Sequence, residues 1–148
     1  MSTYTQSIHQ VVFATKNRKP CLSKVNRPEL FKYIWGIIKN SNCHLYRING
    51  VEDHLHIATS VHQSISLANL VKNIKLASSQ FIKEQNLFEG FNGWQEGYGA
   101  FTYSHKDKAA LVNYVMNQEE HHKIKTFEEE YRELLFENGI EFDEKYLL

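Results

Sequence analysis

The chain has 148 residues, 42% of them hydrophobic, and its 17 basic and 17 acidic side chains balance to a net charge of zero. This length and composition are sufficient for one compact domain with a buried core, spanning residues 1–148. No run of about eighteen or more apolar residues occurs, which excludes a membrane-spanning helix.

The first half of the chain predicts two helices between short strands. Residues 3–14 are rich in β-branched and aromatic side chains, which favours a strand. Asn26 and Pro28 are typical of a helix start, and apolar residues at helical spacing extend that helix over about 27–40. Two more strands, 43–48 and 51–61, flank Asn49-Gly50, a strong hairpin signal.

The second half begins with a helix capped by Ser64 or Ser66, whose apolar stripe continues to Ile82. A glycine-rich loop over 88–99 precedes a strand at 99–104. We then expect a helix at about 105–122, a strongly acidic helix at about 126–138, and an acidic tail to residue 148.

The order of these elements is β-α-β-β-α-β followed by further helices. It predicts an α+β fold of the ferredoxin-like type, with a four-stranded antiparallel sheet and two helices on one face. The ferredoxin-like core would occupy about residues 3–104, and the C-terminal helices would be added to it.

Two histidines on the predicted third strand are the first candidate site. Side chains on a strand alternate between faces, so His54 and His56 project from the same face, about 7 Å apart at the backbone. Two imidazoles arranged in this way can chelate one divalent ion. The same pattern also fits two ordinary polar histidines on a solvated sheet face.

A second candidate site lies on the predicted helix 105–122. Tyr114, Gln118 and His121 fall on one stripe at positions i, i+4 and i+7. A phenol needs a metal or a base to attack phosphorus at neutral pH, and the neutral oxygen of Gln118 could complete a metal site. The alternative is a half-buried tyrosine on an amphipathic helix. His121 and His122 could be ligands, a proton relay or plain cations near the helix end, and the last role is favoured.

Charge is distributed unevenly along the chain and permits a nucleic-acid surface. Residues 1–85 hold 11 basic and 4 acidic side chains, whereas residues 86–148 hold 6 basic and 13 acidic ones. A lysine stripe on the second helix and the basic turn at 16–19 are candidate phosphate contacts. Any soluble helix has a charged face, but the absence of acidic residues from this stripe slightly favours a phosphate contact. The candidate DNA-binding residues are Lys72, Lys75, Lys83, Arg18 and Lys19.

The N-terminal segment and the two cysteines indicate the cellular compartment in which the protein is expected. Residues 1–15 show no basic start followed by an apolar block, so we expect no signal peptide and a cytoplasmic location. Cys21 and Cys43 show no metal-site spacing and are expected to be free thiols.

Several segments together resemble one protein family. VEDHLHIATSV resembles the HUH motif (histidine, a bulky apolar residue, histidine) of the single-tyrosine transposases of small bacterial insertion sequences, to which REP-associated tyrosine transposases are related. WQEGYGAFTYS and NYVMNQEEHHK resemble the family's last strand and catalytic helix, and HQVVFATKNRKP its opening strand. The resemblance extends nearly from end to end, as far as His122.

The resemblance implies an activity and a set of roles. His54, His56 and Gln118 would bind Mg²⁺ or Mn²⁺, and Tyr114 would be the nucleophile. His121, on the same helix stripe, is a possible auxiliary group by its position alone. The partners would be single-stranded DNA hairpins at element ends, cut and rejoined through a 5′-phosphotyrosine intermediate. A homodimer is also implied, in which the tyrosine helix can complete the histidine site of the partner.

Four other functions are alternatives to this one. Two-motif phosphoesterases need a second His-x-Thr/Ser motif, which this sequence lacks. Histidine-triad hydrolases need a third alternating histidine, but residue 58 is alanine. A non-catalytic nucleic-acid-binding module on a ferredoxin-like sheet could stack bases on Tyr46 or Phe101, but gives no reason for the histidine pair and Gln118. A domesticated endonuclease that cuts repeat hairpins without transposing would share the whole site.

Overall fold

The computed structural model describes residues 1–147 and contains four strands and five α-helices within that range. Short 3₁₀ turns lie at Lys16–Arg18, His105–Asp107 and Glu144–Tyr146. The strands are β1 (Ile8–Ala14), β2 (Leu45–Gly50), β3 (His54–Ser60) and β4 (Gly99–Tyr103). The helices are α1 (Arg27–Asn40), α2 (Leu67–Gln85), α3 (Lys108–Met116), α4 (Gln118–His121) and α5 (Phe127–Glu137).

The strands form one antiparallel sheet in the order β2-β3-β1-β4. Strands β1 and β3 are central, and their register pairs Val12 with His56 and Ala14 with His54. This order, with α1 and α2 as the crossovers, is the ferredoxin-like arrangement, so the predicted fold class is confirmed.

Helices α1 and α2 cover one face of the sheet, which we call the first face. Alternation along the strands sends Phe13, Leu55 and Ile57 to this face, where they meet the apolar stripes of both helices in the main core. Residues of those stripes include Leu30, Ile34, Ile38, Leu70, Val71, Ile74 and Ile82.

Helices α3 and α5 cover the opposite, second face. Leu111 and Val115 of α3 pack on Ile8 and Ala58. Phe127, Tyr131, Leu134 and Leu135 of α5 pack around Val12, Ala14 and Phe101. The sheet is therefore buried on both sides where these helices lie, and the second face is the one that carries His54 and His56.

Local capping explains where the helices start. The Ser66 hydroxyl accepts a hydrogen bond from the Asn69 amide at 3.1 Å, which settles the choice between Ser64 and Ser66. The Thr126 hydroxyl likewise accepts from the Glu129 amide at 3.2 Å and starts α5. Asn86 caps the C-terminus of helix α2 and has a left-handed backbone with φ of 49°.

The predicted hairpin turn at Asn49-Gly50 was wrong in its position. Both residues belong to β2, where Asn49 pairs with His56 and Gly50 with Leu55, and the turn falls on residues 51–53. Glycine is required at position 50 because a Cβ atom there would lie 2.5 Å from the His54 carbonyl oxygen and 2.6 Å from a Leu55 methyl carbon.

The predicted single helix over 105–122 was also wrong, because it is divided at Asn117. This residue lies outside the helical range, with φ of −95° and ψ of 20°. The Asn49 side-chain amide donates to the Met116 carbonyl at 2.9 Å, which draws that carbonyl away from the helix. The first strand is shorter than predicted as well, since β1 begins at Ile8 rather than near residue 3.

Candidate metal centre and active site

His54 and His56 lie side by side on β3 and point to the second face of the sheet. Both side chains are fully buried, and their ring centroids are 5.2 Å apart. Leu55, between them, points into the core under α1 and α2. The strand alternation therefore places the two imidazoles together, beneath α3 and α5 rather than in solvent.

The Nδ1 atom of each of these imidazoles is in hydrogen-bond contact with a neighbouring side chain. His54 Nδ1 lies 2.7 Å from the Asp53 carboxylate, and His56 Nδ1 lies 2.7 Å from Gln10 Oε1. Gln10 in turn donates to the Tyr103 hydroxyl at 2.8 Å. Because a carboxylate only accepts, His54 carries its hydrogen on Nδ1 and turns Nε2 toward the second face.

The Nε2 atom of His54 is buried and has no hydrogen-bond partner among the residues that the structure describes. A buried polar atom without a partner is costly, and it is the arrangement expected of a ligand atom whose partner is an ion. The outer contacts through Nδ1 are also those that orient metal-binding histidines in proteins. The histidine pair therefore fits a divalent metal.

Helix α5 brings the Glu130 carboxylate to the same point. Its Oε1 atom lies 3.0 Å from His56 Nε2, 3.1 Å from His122 Nε2 and 3.6 Å from His54 Nε2. The four groups offer one ligand atom each, all within 4.8 Å of one another. Three imidazoles and a carboxylate so close together form a site that is compatible with a divalent metal.

Tyr114 of α3 also contacts this cluster. Its hydroxyl donates a hydrogen bond to Glu130 Oε2, and its ring centroid is 5.8 Å from that of His56. Burial raises the pKa of the Tyr114 phenol well above its usual range, and the negative charge of Glu130 raises it further. In this arrangement the phenol is protonated.

Gln118 is fully buried at the start of α4, where it contacts Glu130 and His122. Its side-chain nitrogen donates to Glu130 Oε2 at 3.1 Å, and its Oε1 atom is 3.2 Å from His122 Nε2. His121, the predicted auxiliary group, points elsewhere and packs on the Tyr114 ring at 4.8 Å between centroids.

Burial and charge set the protonation of the cluster. Burial lowers the pKa of His56 to about 4, so this imidazole is neutral at pH 7. Burial acts to lower the pKa of His54 too, but the hydrogen bond to Asp53 and the charges of Asp53 and Glu130 raise it overall. Burial would raise the pKa of Glu130, yet the three imidazoles beside its carboxylate, with His122 contributing most, lower that pKa overall and hold the carboxyl ionised.

Sequence reasoning predicted His54, His56, Tyr114 and Gln118, and the structure brings all four together within one chain. The sequence left His122 open as a ligand, a proton relay or a cation near the helix end, and it did not predict Glu130 or the outer partners Asp53 and Gln10. One signal for Glu130 was available. This carboxylate sits three residues after Phe127 and four before Leu134, on the apolar stripe of an otherwise acidic helix.

The candidate DNA-binding residues lie away from this cluster. Lys72 and Lys83 are exposed on α2, across the sheet from the histidines. Lys75 is half-buried, donates to the carbonyls of Gln95 and Gly97, and has its pKa lowered by burial. It therefore anchors the loop before β4.

The basic turn at 16–19 lies near the start of α5. Arg18 is 3.9 Å from Glu128 at the start of that helix, and Lys19 is exposed with its ammonium group close to Gly90. No helix among residues 1–147 combines the length and the apolar character that crossing a membrane requires.

The sequence profile of the family described as "Transposase IS200 like" matches residues 2–118. No curated protein sequence matches the chain.

Two solved structures share the fold. A protein assigned as a transposase of Deinococcus radiodurans R1 superposes with a TM-score of 0.60 at 21% identity, over 80% of this chain and 95% of that one. A REP-associated tyrosine transposase bound to a REP hairpin superposes with a TM-score of 0.55 at 18% identity, over 79% of this chain and 72% of that one.

Proposed function

Because the chain belongs to the IS200-like transposase family, we propose that it cuts and rejoins single-stranded DNA with Tyr114 as the nucleophile. The observation that carries this proposal is the meeting of the Tyr114 hydroxyl with the paired imidazoles of His54 and His56. All three contact one buried carboxylate, although they come from different elements of the fold.

We propose a divalent metal, Mg²⁺ or Mn²⁺, at the histidine pair, with the amide oxygen of Gln118 as a further ligand. The unpartnered Nε2 atom of His54 and the outer contacts of both imidazoles support this placement. When bound, such an ion polarises a phosphodiester oxygen and stabilises the charge that develops on phosphorus. The protein positions the imidazoles through Asp53 and Gln10, and burial keeps that of His56 neutral.

The proposed reaction exchanges one phosphodiester bond for another. The Tyr114 oxygen attacks phosphorus as the P–O3′ bond breaks, and the one proton that the phenol releases to water balances the one that the departing 3′ oxygen takes up from water. The products are a 5′-phosphotyrosine link and a free 3′-hydroxyl. The 3′-hydroxyl of another strand reverses these steps, and since the bond energy is conserved in the phosphotyrosine, no nucleotide cofactor is needed.

The proposed substrate is a hairpin in single-stranded DNA. One structurally similar protein is a REP-associated tyrosine transposase bound to a REP hairpin, and the same kind of partner suits a chain of this family. We also propose a homodimer. Tyr114 and the histidines already meet within one chain here, so completion of the site by the partner is not required for this arrangement.

The proposal is tested with purified protein, Mn²⁺ and a hairpin oligonucleotide labelled 3′ of its cleavage site. The expected result is a covalent protein–DNA adduct that resists denaturant and is resolved by adding a strand with a free 3′-hydroxyl. Tyr114→Phe should abolish the adduct, whereas Tyr98→Phe, which alters a tyrosine with 36% exposure, should not. Adduct without transfer to the second strand would indicate an endonuclease, and no adduct would contradict the proposal.

A further inference from the structure

Helix α5 has a place in the site that the roles of the family's histidines, glutamine and tyrosine do not explain. We infer that Glu130 is itself a ligand of the divalent metal, so that α5 is part of the active centre. The inference rests on the metal site of the proposed function. It adds an anionic ligand to a set that is otherwise neutral.

The spacing of the cluster supports this role. Glu130 Oε1 is 3.0 Å from His56 Nε2, 3.1 Å from His122 Nε2 and 3.6 Å from His54 Nε2. Adjacent ligands at about 2.1 Å from a six-coordinate ion are separated by about 3 Å. The separations of 3.0 and 3.1 Å are those of hydrogen bonds, and they also match the spacing of ligand atoms around one ion.

The hydrogen positions on His54 point the same way. Its Nδ1 hydrogen is directed to the Asp53 carboxylate, which only accepts. In the neutral imidazole, Nε2 then presents a lone pair toward the Glu130 carboxylate oxygen 3.6 Å away. Two lone pairs facing each other in a buried site repel unless a proton or a metal ion lies between them, and a metal ion, unlike a proton, can serve all three converging imidazoles.

Carboxylate oxygen also suits the metal. Mg²⁺ and Mn²⁺ prefer hard oxygen ligands, and an ionised carboxylate is the usual protein ligand for them. The second oxygen of Glu130 contacts the Tyr114 hydroxyl and the Gln118 amide. One carboxylate therefore joins the ligand cluster to the nucleophile.

Apolar contacts hold α5 in place independently of this carboxylate. Phe127 stacks on the His54 ring at 3.9 Å between centroids, and Leu134 and Leu135 are buried against the sheet. A substitution that removes only the charge of Glu130 should therefore leave the helix docked. This makes Glu130→Gln a usable test.

The test is a Mn²⁺ titration of the full chain after treatment with chelator, with free Mn²⁺ measured by its electron paramagnetic resonance signal. Glu130→Gln should weaken Mn²⁺ binding by at least about tenfold. Glu137→Gln, which removes the same charge from an exposed position of α5, should leave the affinity unchanged. His56→Ala serves as the reference for loss of the metal site.

The outcomes separate this inference from the proposed function. If His56→Ala weakens binding and Glu130→Gln does not, the inference is overturned while the histidine site stands. If neither variant alters binding, the metal site of the proposed function fails as well. Unchanged Mn²⁺ affinity with faster DNA cleavage in Glu130→Gln would make α5 a cover over the site rather than part of it.

A second measurement needs no substitution and serves if Glu130→Gln does not fold. Mn²⁺ should slow hydrogen exchange at the backbone amides of α5 in the unaltered chain, because the ion would tie that helix to β3. Exchange in α5 that is the same with and without Mn²⁺ would overturn the inference.

Discussion

Tyr114 and Glu130 are in direct hydrogen-bond contact, although they are 16 residues apart and lie on different helices. The contact places a buried carboxylate against the hydroxyl that we propose as the nucleophile. It also keeps that hydroxyl protonated, because burial and the negative charge both raise its pKa.

The first prediction concerns this phenol in metal-free protein. Since its folded pKa is raised above the ordinary 10.0, its contribution to stability is complete below pH 10 and is lost as pH rises above it. Near-ultraviolet titration of the wild type and Tyr114→Phe should therefore show no tyrosinate signal from Tyr114 at pH 10. A signal that titrates with an ordinary midpoint and disappears in the variant would contradict the buried contact.

The second prediction concerns the residues behind the histidines. Asp53→Ala and Gln10→Leu each remove an acceptor from an imidazole Nδ1 atom. Each should weaken Mn²⁺ affinity by about 10- to 100-fold, because the ring loses its fixed orientation and tautomer. Glu52→Ala, which alters the exposed neighbour of Asp53, is the matched control. If Asp53→Ala and Gln10→Leu bind Mn²⁺ as tightly as the Glu52→Ala control and the wild type, Asp53 and Gln10 have no orienting role.

The third prediction concerns acid stability in the presence of chelator. The pKa of His56 is about 4 in the folded chain and 6.5 in the unfolded one, so between these values the unfolded state binds the extra proton. The contribution of His56 to the free energy of unfolding should fall by about 1.4 kcal/mol per pH unit from pH 6.5 down to pH 4 and then level off.

Denaturant unfolding of the wild type and His56→Gln across this range measures that slope. Their difference in unfolding free energy should change with pH by the amount stated. Parallel curves would mean that His56 is protonated in the folded chain.

The fourth prediction separates the lysines of α2. Lys72 and Lys83 are exposed, and if they contact DNA phosphates, each alanine variant should reduce the salt dependence of binding by about one unit of slope. Lys75→Ala should instead lower the melting temperature, because it releases the loop carbonyls of Gln95 and Gly97. Unaltered salt dependence in the first two variants would return them to a solvated helix face.

The ferredoxin-like order and the pairing of His54 with His56 could be predicted because they depend on local periodicity. A strand repeats every two residues, so two histidines separated by one leucine share a face wherever the strand lies. The helix bearing Tyr114 was predicted for the same reason, from apolar residues at helical spacing.

The contribution of α5 could not be predicted in this way. Glu130 reaches the histidines only because α5 folds back over the second face, and no local pattern specifies that contact. The division of the helix at Asn117 likewise depends on a hydrogen bond from Asn49 on β2, which is distant in sequence. Both features follow from contacts between remote segments, whereas the sequence pattern reports mainly on neighbours.

The most direct test of the central claim is to locate the attachment of DNA in the covalent adduct. The adduct formed with hairpin DNA and Mn²⁺ would be digested with nuclease and protease and analysed by tandem mass spectrometry. The account predicts a nucleotide phosphate on the tyrosine of the peptide that contains Tyr114. Phosphate on another tyrosine, or an adduct that persists in Tyr114→Phe, would contradict it.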